Sequence, residues 1–483
     1  MTSPLSLDLL DTRLKPLCDA YLGSTQTPGA SIALVVGDNG YHYGYGVKSI
    51  LTREPVSVHT GFNIGSCTKA LVSATLASLI ADGLASWDDP VTKYVPEFQL
   101  YDPWVTQQVT LRDLSANRLG LPREGLVEYG FDGSVPVLYT LAALRHTQPK
   151  YPFRDRFGYV NTGHTANAVA AGRISGKGFL ATLRERILAP LGMNHSSGGA
   201  AAKDELADQA AWHCAVDGKI VTIDTVHTDM YFGGGGMVVC GADAVQWLRL
   251  HLNAGQVDGK QIVPSDALME THQPHAAARP GKDIASLFYP GAHIGAYCLG
   301  WAASDFEGHP MVCHSGGDFG ISAMTILLPK SGIAIAVYCN RSGANAMATA
   351  YAIAATLLGM PARDWDAHFA ALTPTPAAIE RSDSPFDASV YAGLYRHPAD
   401  GELLIERVGG ELHGVFKSGY RMDFRLQSLG EHRFMLKFEQ AEWRASEARN
   451  QSVLAFALDS GAATKAELQF AGFSARCFSR AKA

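Results

Sequence analysis

The chain has 483 residues, of which 47% are hydrophobic and 18% charged, and its formal net charge is −6. A mild acidic excess spread over a chain of this size argues against a nucleic-acid-binding protein, which needs a basic surface. The composition is that of folded globular proteins. The length predicts two or three domains, because a single core stops growing at about 250 to 300 residues.

The beginning of the chain carries no visible export signal. The first eleven residues contain Asp8 and Asp11 and no basic residue, whereas a signal peptide has a basic segment before its apolar one. Apolar runs such as 352–358 are much shorter than the roughly 18 residues that cross a membrane. The eight cysteines have no C-x-x-C pair and no regular spacing, which indicates reduced thiols. We therefore expect a cytoplasmic protein with no membrane partner.

The first predicted elements are two strands, over 30–36 and 41–46, joined by a turn at 37–40. From Ser66 the apolar spacing becomes that of a buried helix, which ends at Gly83. A mostly helical middle region follows, with helices that include 181–188 and 242–252 and few strands.

Strand patterns return in the last part of this region. Strands are predicted at 299–301, 323–328 and 333–338, followed by an apolar helix over about 344–358. Strands at both ends with helices between them predict an α/β (α+β) layered domain, in which distant segments form one sheet and a helical part is inserted.

A second domain is predicted after a Pro/Thr/Ala segment at 372–377. Short apolar runs then alternate with turn residues at 400–401, 409–410, 430 and 460–461, a pattern typical of a small antiparallel barrel or sandwich. The predicted organisation is a first domain over 1–370, a linker over 371–385 and an all-β domain over 386–483.

A first candidate for chemistry is Ser66-Cys67-Thr68-Lys69, an S-x-x-K motif at the start of a predicted helix. Positions i and i+3 share a helix face, so the Lys69 amine can reach Ser66 Oγ. A serine hydroxyl needs a neighbouring base to become a nucleophile, and a desolvated lysine can serve as one. An N-cap serine before a helical lysine is the structural alternative. A second S-x-x-K at Ser479 lies in the C-terminal tail, with nothing after it to build a site.

Two further motifs follow in order. Tyr159-Val160-Asn161 stands 93 residues after Ser66, and His314-Ser315-Gly316-Gly317 stands 155 residues after Tyr159, directly before the pair of strands. Competing matches, such as Ser115-Ala116-Asn117 and Tyr338-Cys339-Asn340, are more simply structural. No G-x-S-x-G, H-E-x-x-H, P-loop or G-x-G-x-x-G motif appears.

The three motifs together resemble those of the class C β-lactamase and DD-peptidase family of penicillin-recognising serine hydrolases. The resemblance covers about residues 7–360 and includes Pro28-Gly29, Pro190-Leu191-Gly192-Met193 and Leu299-Gly300-Trp301. It implies a β-lactamase-like antiparallel sheet flanked by helices. The third motif departs from the K-T-G of true β-lactamases and resembles the H-x-G of DD-carboxypeptidases, D-aminopeptidases and related amide and ester hydrolases. Residues 391–395 resemble the lipocalin-like C-terminal barrel of some of these peptidases and of related peptide cyclases.

The resemblance also implies roles for individual residues. Ser66 would form an acyl-enzyme, with Lys69 and Tyr159 sharing the base role. Asn161 would position Lys69 and the substrate amide, and His314 would orient the Tyr159 hydroxyl or the substrate. The remaining implied residues are the oxyanion-hole N–H groups of Ser66 and Gly317, and the substrate-binding candidates Gly316 and Asp318. Asp318 would pair with a substrate ammonium group or serve a turn.

Several functions use this machinery. The first expectation is a cytoplasmic peptidase or amidase on small peptides or amides, with D-residues among its possible substrates. The alternatives are a carboxylesterase, an acyltransferase or peptide cyclase, and a non-catalytic penicillin-binding or scaffolding protein. We expect no metal and no organic cofactor, and a small-molecule or short-peptide substrate. The sequence leaves the oligomeric state open.

Overall fold

The computed structural model describes residues 7–123, 135–225, 227–229, 232–280, 283, 287–372, 379–380, 382, 385–417, 422–445, 451–469 and 475–481. Most of the predicted linker at 371–385 lies outside these residues. Within them, no helix has both the length and the apolar character needed to span a membrane.

The main structural element is an eight-stranded antiparallel sheet with the order β10-β11-β12-β13-β14-β15-β1-β2. The first strand of the chain pairs with the last strand of the domain, Ala30 opposite Cys339, so the sheet joins distant segments as predicted. Three small sheets accompany it, one of them with the order β3-β7-β4. The strands are β1 (Gly29–Val36), β2 (Asn39–Gly46), β3 (Phe62–Asn63), β4 (Ser197–Gly198), β5 (Trp212–Val216), β6 (Lys219–Ile223), β7 (Met237–Val239), β8 (Gln256–Val257), β9 (Lys260–Gln261), β10 (Ala276–Ala277), β11 (Gly295–Tyr297), β12 (Ala302–Phe306), β13 (His309–Asp318), β14 (Ile321–Leu328) and β15 (Ile333–Cys339).

Helices cover both faces of this sheet. The helices are α1 (Leu7–Leu9), α2 (Lys15–Ser24), α3 (Thr68–Ala81), α4 (Pro103–Gln108), α5 (Leu111–Ser115), α6 (Val137–Ala143), α7 (Asn161–Ser175), α8 (Phe179–Leu183), α9 (Ala202–Glu205), α10 (Phe232–Gly235), α11 (Gly241–Leu252), α12 (Ser265–Glu270), α13 (Ala346–Leu357), α14 (Trp365–Leu372) and α15 (Ala441–Arg444).

The central strands β1 and β15 are buried on both faces, which explains their continuous apolar sequence. Alternate residues of each strand belong to different cores. Ala33 of β1 and Ala336 of β15 pack in the core that contains α3 and α11. Ile32 and Ile335 pack on the opposite face with α2 and α13. The small side chains on the first face leave room for α11, which contacts both strands.

The C-terminal domain is a closed barrel of eight antiparallel strands in chain order. Its interior is packed with aromatic side chains, among them Phe416, Phe424, Phe434 and Phe478. The predicted turns all lie between consecutive strands or at their ends. The strands are β16 (Gly393–His397), β17 (Gly401–Val408), β18 (Glu411–Phe416), β19 (Met422–Gly430), β20 (Arg433–Phe438), β21 (Val453–Asp459), β22 (Ala462–Gln469) and β23 (Arg476–Arg480).

Among the described residues, the C-terminal domain contacts the first domain both on the side of the sheet and on the side of the helices. The ring of Phe319, in the turn between β13 and β14, lies 4.6 Å from that of the buried Trp443 in α15. On the helical side, the Tyr139 hydroxyl donates to the backbone oxygen of Pro398 at 3.3 Å, and Arg476 donates to Thr147 Oγ1 at 3.4 Å. The barrel is therefore attached to both the sheet and the helical part of the first domain.

The strand predicted at 299–301 is wrong. These residues form bends between β11 and β12, and Gly300 has a left-handed φ of +77°. The Gly300 N–H donates to Ser115 O at 3.0 Å, and a Cβ here would lie 2.6 Å from Lys69 O. The segment is apolar because it packs on α3, not because it forms a strand.

The prediction of few strands in the middle region also needs correction, because β4 to β9 lie there. Four of these six strands have three residues or fewer, too short for an alternating pattern to be visible in the sequence.

Candidate active site

Ser66 lies in a single 3₁₀ turn, Gly65–Cys67, that leads directly into α3. The turn is held by Asn63, whose Oδ1 accepts from the Gly65 N–H at 2.8 Å. Gly65 has a φ of +50°, and a Cβ on it would lie 2.9 Å from the Gly317 nitrogen. A glycine is therefore needed at position 65 for this turn to approach β13 so closely. The result is a half-buried serine at the N-terminal end of a buried helix.

Lys69 is fully buried one helical turn after Ser66. Its Nζ donates to three neutral acceptors: Ser66 Oγ at 2.9 Å, Asn161 Oδ1 at 2.6 Å and the Gly234 carbonyl at 2.5 Å. The last two contacts fix two N–H directions of the amine. The third direction, which carries an N–H or, in the neutral amine, a lone pair, points at the serine oxygen.

The tetraglycine 233–236 gives Lys69 one of these acceptors. Gly233 and Gly234 lie in α10, which packs against α7. A Cβ on Gly233 would lie 2.4 Å from His164 O, so the close packing requires glycine. The sequence did not predict the acceptor role of the Gly234 carbonyl, because a backbone oxygen leaves no mark on residue type.

Tyr159 and Asn161 lie at the start of α7, where Asn117 holds the backbone. The Asn117 Oδ1 accepts from Val160 N at 2.9 Å, and its backbone oxygen accepts from Gly158 N at 2.8 Å. Asn117 is buried and left-handed, with a φ of +52°, a conformation that asparagine tolerates. Lys69 Nζ lies 4.8 Å from the centre of the Tyr159 ring. The structure thus brings Ser66, Lys69, Tyr159 and Asn161 together.

The third motif lies on β13, in the part of this strand that extends beyond the end of its neighbour β12. Ala302, the first residue of β12, pairs with Cys313, so residues 314–318 have β14 on one side only. Their other edge faces the Ser66 turn. A Cβ on Gly316 would lie 2.1 Å from Ile64 O, whereas one on Gly317 meets nothing within 4 Å. Gly316 therefore packs on the serine turn and Gly317 faces open space.

His314 is fully buried, and its ring hydrogen-bonds to Ser315 and Tyr297. Its backbone oxygen accepts from Cys67 Sγ at 3.2 Å. Its Nδ1 lies 2.6 Å from the Ser315 carbonyl, so this nitrogen carries the proton. Its Nε2 therefore accepts from the Tyr297 hydroxyl at 2.9 Å. Burial, together with the charge of Lys69, lowers the pKa of His314 to about 3. The ring is neutral at physiological pH, and both nitrogens are occupied, which leaves neither for a metal ion.

Tyr297 was missed by the sequence analysis, which expected His314 to orient Tyr159 or the substrate. The Tyr297 ring packs edge-on to that of Tyr159, with centroids 6.3 Å apart. Tyr159 and His314 also have ring centroids 6.3 Å apart. Burial raises the pKa of Tyr297 well above its usual value, so its hydroxyl keeps the proton. No motif surrounds Tyr297 that could have distinguished it from a core tyrosine.

Asp318 follows the glycines and caps its own turn. Its Oδ1 accepts from the Phe319 N–H at 2.8 Å, and the residue is half-buried. This hydrogen bond agrees with the turn role, which is one of the two alternatives that the sequence analysis gave for Asp318.

Comparison with known proteins then identifies the family. The profile of the beta-lactamase family matches residues 14–358. The chain belongs to this family. A penicillin-binding protein stands among its sequence relatives, and a penicillin-binding protein homologue among the solved structures that share its β-lactamase fold.

Its curated relatives are distant in sequence. Unguisins hydrolase ungD of Aspergillus violaceofuscus is 25% identical over 432 residues, which cover 80% of this chain and 75% of that protein. Unguisins hydrolase ungD' of Aspergillus campestris is 25% identical over 69% of this chain, and the match spans only 62% of that protein. Penicillin-binding protein 4 of Amycolatopsis lactamdurans is 23% identical, with 68% of this chain and 85% of that protein covered.

Two solved structures share the fold over nearly the whole chain, barrel included. The octameric penicillin-binding protein homologue from Pyrococcus abyssi has a TM-score of 0.62 at 20% identity, covering 97% of this chain and 99% of that one. SurE has a TM-score of 0.61 at 20% identity, covering 99% and 100%.

Proposed function

We propose that this member of the beta-lactamase family is a peptidase or amidase that forms an acyl-enzyme on Ser66 and acts on small peptides or amides. The observation that carries the proposal is the buried Lys69 amine, held by Asn161 and Gly234 with its third direction on Ser66 Oγ at 2.9 Å. A purely structural N-cap serine does not need a buried lysine aimed at its hydroxyl.

Acylation follows from this geometry. The Ser66 hydroxyl proton passes to the base formed by Lys69 and Tyr159, and Oγ bonds to the substrate carbonyl carbon. The carbonyl oxygen gains the negative charge, which the backbone N–H groups of Ser66 and Gly317 stabilise. Tyr159 gives a proton to the departing amine as the carbon–nitrogen bond breaks, which leaves the acyl group on Ser66.

Deacylation uses the same groups in reverse. A water molecule loses a proton to Tyr159 and Lys69 as its oxygen attacks the ester carbonyl, and Ser66 Oγ leaves with a proton. Asn161 holds Lys69 and the substrate amide throughout. Gly316 keeps β13 close to the serine turn, and Asp318 attracts a substrate ammonium group.

The preference for amides and peptides rests on the third motif and on the relatives. His314-Ser315-Gly316 stands where true β-lactamases have K-T-G, and this departure disfavours a β-lactamase. Two relatives are named hydrolases of unguisins, and a third is named a penicillin-binding protein. D-residues in the substrate fit the resemblance to D-aminopeptidases.

The chain offers a matched control for the nucleophile. Ser479 begins the second S-x-x-K motif but lies in the last strand of the barrel. Intact-protein mass spectrometry with D- and L-aminoacyl amides, p-nitrophenyl esters and a penicillin is expected to show a decaying adduct on wild type and on Ser479→Ala. Ser66→Ala is expected to show none. An adduct that survives Ser66→Ala refutes the proposed nucleophile.

Turnover then separates the activities that share this intermediate. A peptidase or amidase hydrolyses matched amides, whereas a carboxylesterase turns over only the esters. An acyltransferase or peptide cyclase keeps its adduct in water and loses it when an amine is added, with a product heavier than the free acid. Ester turnover alone would replace the present proposal by the esterase.

A further inference from the structure

A cluster of metal-ligating side chains lies apart from the catalytic residues. A ring nitrogen of His59, a ring nitrogen of His195 and Cys240 Sγ all lie within 4.8 Å of one another. The two imidazole rings are stacked, with centroids 4.2 Å apart and planes 26° apart. Both histidines are exposed, and the cysteine is buried beneath them. We call these three residues the His-His-Cys cluster.

The small sheet β3-β7-β4 explains why they meet. Phe62 of β3 pairs with Val239 of β7, and Ser197 of β4 pairs with Val238. Both pairings are antiparallel, so the residues before β3 and β4 lie at the same end of the sheet as the residue after β7. His59 precedes β3, His195 precedes β4 and Cys240 follows β7. Separations of 136 and 45 residues hide this juxtaposition from any motif search, which is why the sequence predicted no metal ligands.

Hydrogen bonds to the first turn of α11 hold both histidine segments in place. The Ala242 N–H donates to Val58 O at 3.1 Å, next to His59. The His195 N–H donates to Asp243 Oδ2 at 2.9 Å. Cys240 is itself the N-cap of this twelve-residue helix, and its Sγ accepts from the Asp243 N–H at 3.5 Å. The three ligands therefore stand on one preorganised scaffold.

We propose that the His-His-Cys cluster binds a divalent transition-metal ion, and that zinc suits it best. Two imidazole nitrogens and one thiolate are a ligand set that zinc prefers, with a fourth tetrahedral position left for water or an exogenous ligand. Tetrahedral zinc places its ligand atoms about 3.4 Å apart. The exposed imidazoles reach this spacing by small side-chain rotations. Binding releases the thiol proton of Cys240, so one proton leaves for each ion taken up.

The metal would join the scaffold that carries the catalytic groups. β3 leads into the Ser66 turn, and β7 follows α10, which contains the Gly234 acceptor of Lys69. An ion that ties the ends of β3, β4 and β7 to α11 stabilises the folded state by binding it in preference to the unfolded chain.

The test uses full-length protein without an affinity tag, in a Cys477→Ser background, because Cys477 is an exposed thiol. Zinc affinity is measured by competition with a chromogenic chelator, and cobalt is used as a spectroscopic probe. We expect one ion per chain and a thiolate-to-cobalt charge-transfer band. Cys240→Ser should abolish the band, and His59→Asn or His195→Asn should weaken zinc binding about 100-fold.

His293→Asn is the matched control, because His293 is exposed and hydrogen-bonds to Asp305 rather than to the cluster. It should leave the affinity unchanged. The two histidines of the cluster are exposed, so their variants keep the fold even if Cys240→Ser does not. The proposal is overturned if the cobalt band survives Cys240→Ser, if both cluster variants bind zinc as tightly as His293→Asn, or if less than one equivalent binds. None of these readouts depends on hydrolysis.

Discussion

At the scale of single residues, the Tyr297 hydroxyl holds His314 in one orientation beside the proposed catalytic groups. It donates to His314 Nε2 at 2.9 Å, while the other ring nitrogen donates to Ser315 O. Tyr297→Phe removes the donor and leaves a buried nitrogen without its partner. We expect kcat/KM to fall about fivefold, the effect of one neutral hydrogen bond of about 1 kcal/mol.

A merely structural role for Tyr297 would lower stability without changing the imidazole. The ¹⁵N NMR signals of His314 provide the distinguishing measurement, because loss of the donor to Nε2 should shift them. With its folded pKa at about 3, His314 stays neutral from pH 5 to 9 in both proteins. The pH profile of the rate should therefore keep its shape, and a new acidic limb in the variant would contradict the assignment.

One substitution at Asp318 tests the negative charge of the side chain separately from its hydrogen bond in the turn. Asp318→Asn keeps an oxygen that can accept from the Phe319 N–H but removes the negative charge. If the carboxylate attracts a substrate ammonium group, kcat/KM for a free-amine substrate should fall about fivefold, equivalent to about 1 kcal/mol for a partly exposed pair. The N-acetylated form of the same substrate is the control. Equal effects on both substrates would leave Asp318 only its turn role.

At the scale of secondary-structure elements, a buried carboxylate connects α5 to the segments that contain Arg118 and Arg154. Asp113 in α5 forms a capping box with Thr110 and accepts from Arg118 at 2.5 Å and from Arg154 at 2.7 Å. Burial alone would raise the pKa of Asp113, but the hydrogen bonds from Arg154, Thr110 and Arg118 bring it below the usual 3.8.

Asp113→Asn should therefore destabilise the protein by about 3 kcal/mol in urea unfolding at pH 7. The folded-state pKa lies below the unfolded one, so the contribution of the carboxylate is complete above the unfolded pKa and is lost as pH falls through the folded value. The difference between wild type and variant should shrink below about pH 4. Asp258→Asn, which breaks the exposed pair with Arg249, should change stability by less than about 0.5 kcal/mol.

Local patterns in the sequence predicted those elements that depend on local physics. The helix after Ser66, the strands β14 and β15 and the barrel turns follow from apolar spacing and turn residues. The segment 299–301 was misread because an apolar stretch packed on α3 resembles a short buried strand. Asn117, Tyr297 and Gly234 were not predicted as part of the site, since each acts through a contact with residues far away in sequence.

At the scale of the whole molecule, an aromatic pair connects the C-terminal domain to the turn after β13. Phe319 lies two residues after Gly317 and packs on Trp443, which also contacts Phe438 inside the barrel. Residues 319 and 443 are 124 positions apart. The sequence therefore predicted a barrel but not the surface of the first domain that it contacts. The order of the strands does not determine that surface.

This contact makes the turn after β13 depend on the barrel. Phe319→Ala removes the ring that joins them, and the turn carries both Asp318 and the end of the strand that contains Gly317. A displacement of the proposed oxyanion donor by about 1 Å is enough to cost on the order of 10²-fold in rate. We expect kcat/KM to fall at least about tenfold, with only a small change in thermal stability, because the ring is half-buried.

Phe434→Ala is the control from the same barrel, since Phe434 is fully buried and contacts Phe386, Tyr391 and Phe456 rather than α15. It should destabilise the barrel by about 3 to 5 kcal/mol, while the folded fraction keeps its kcat/KM. The two variants should therefore differ in opposite ways. Phe319→Ala should have a low kcat/KM and near-normal stability, and Phe434→Ala should have low stability and a normal kcat/KM. If Phe319→Ala retains full activity, the barrel does not act on the site through this turn.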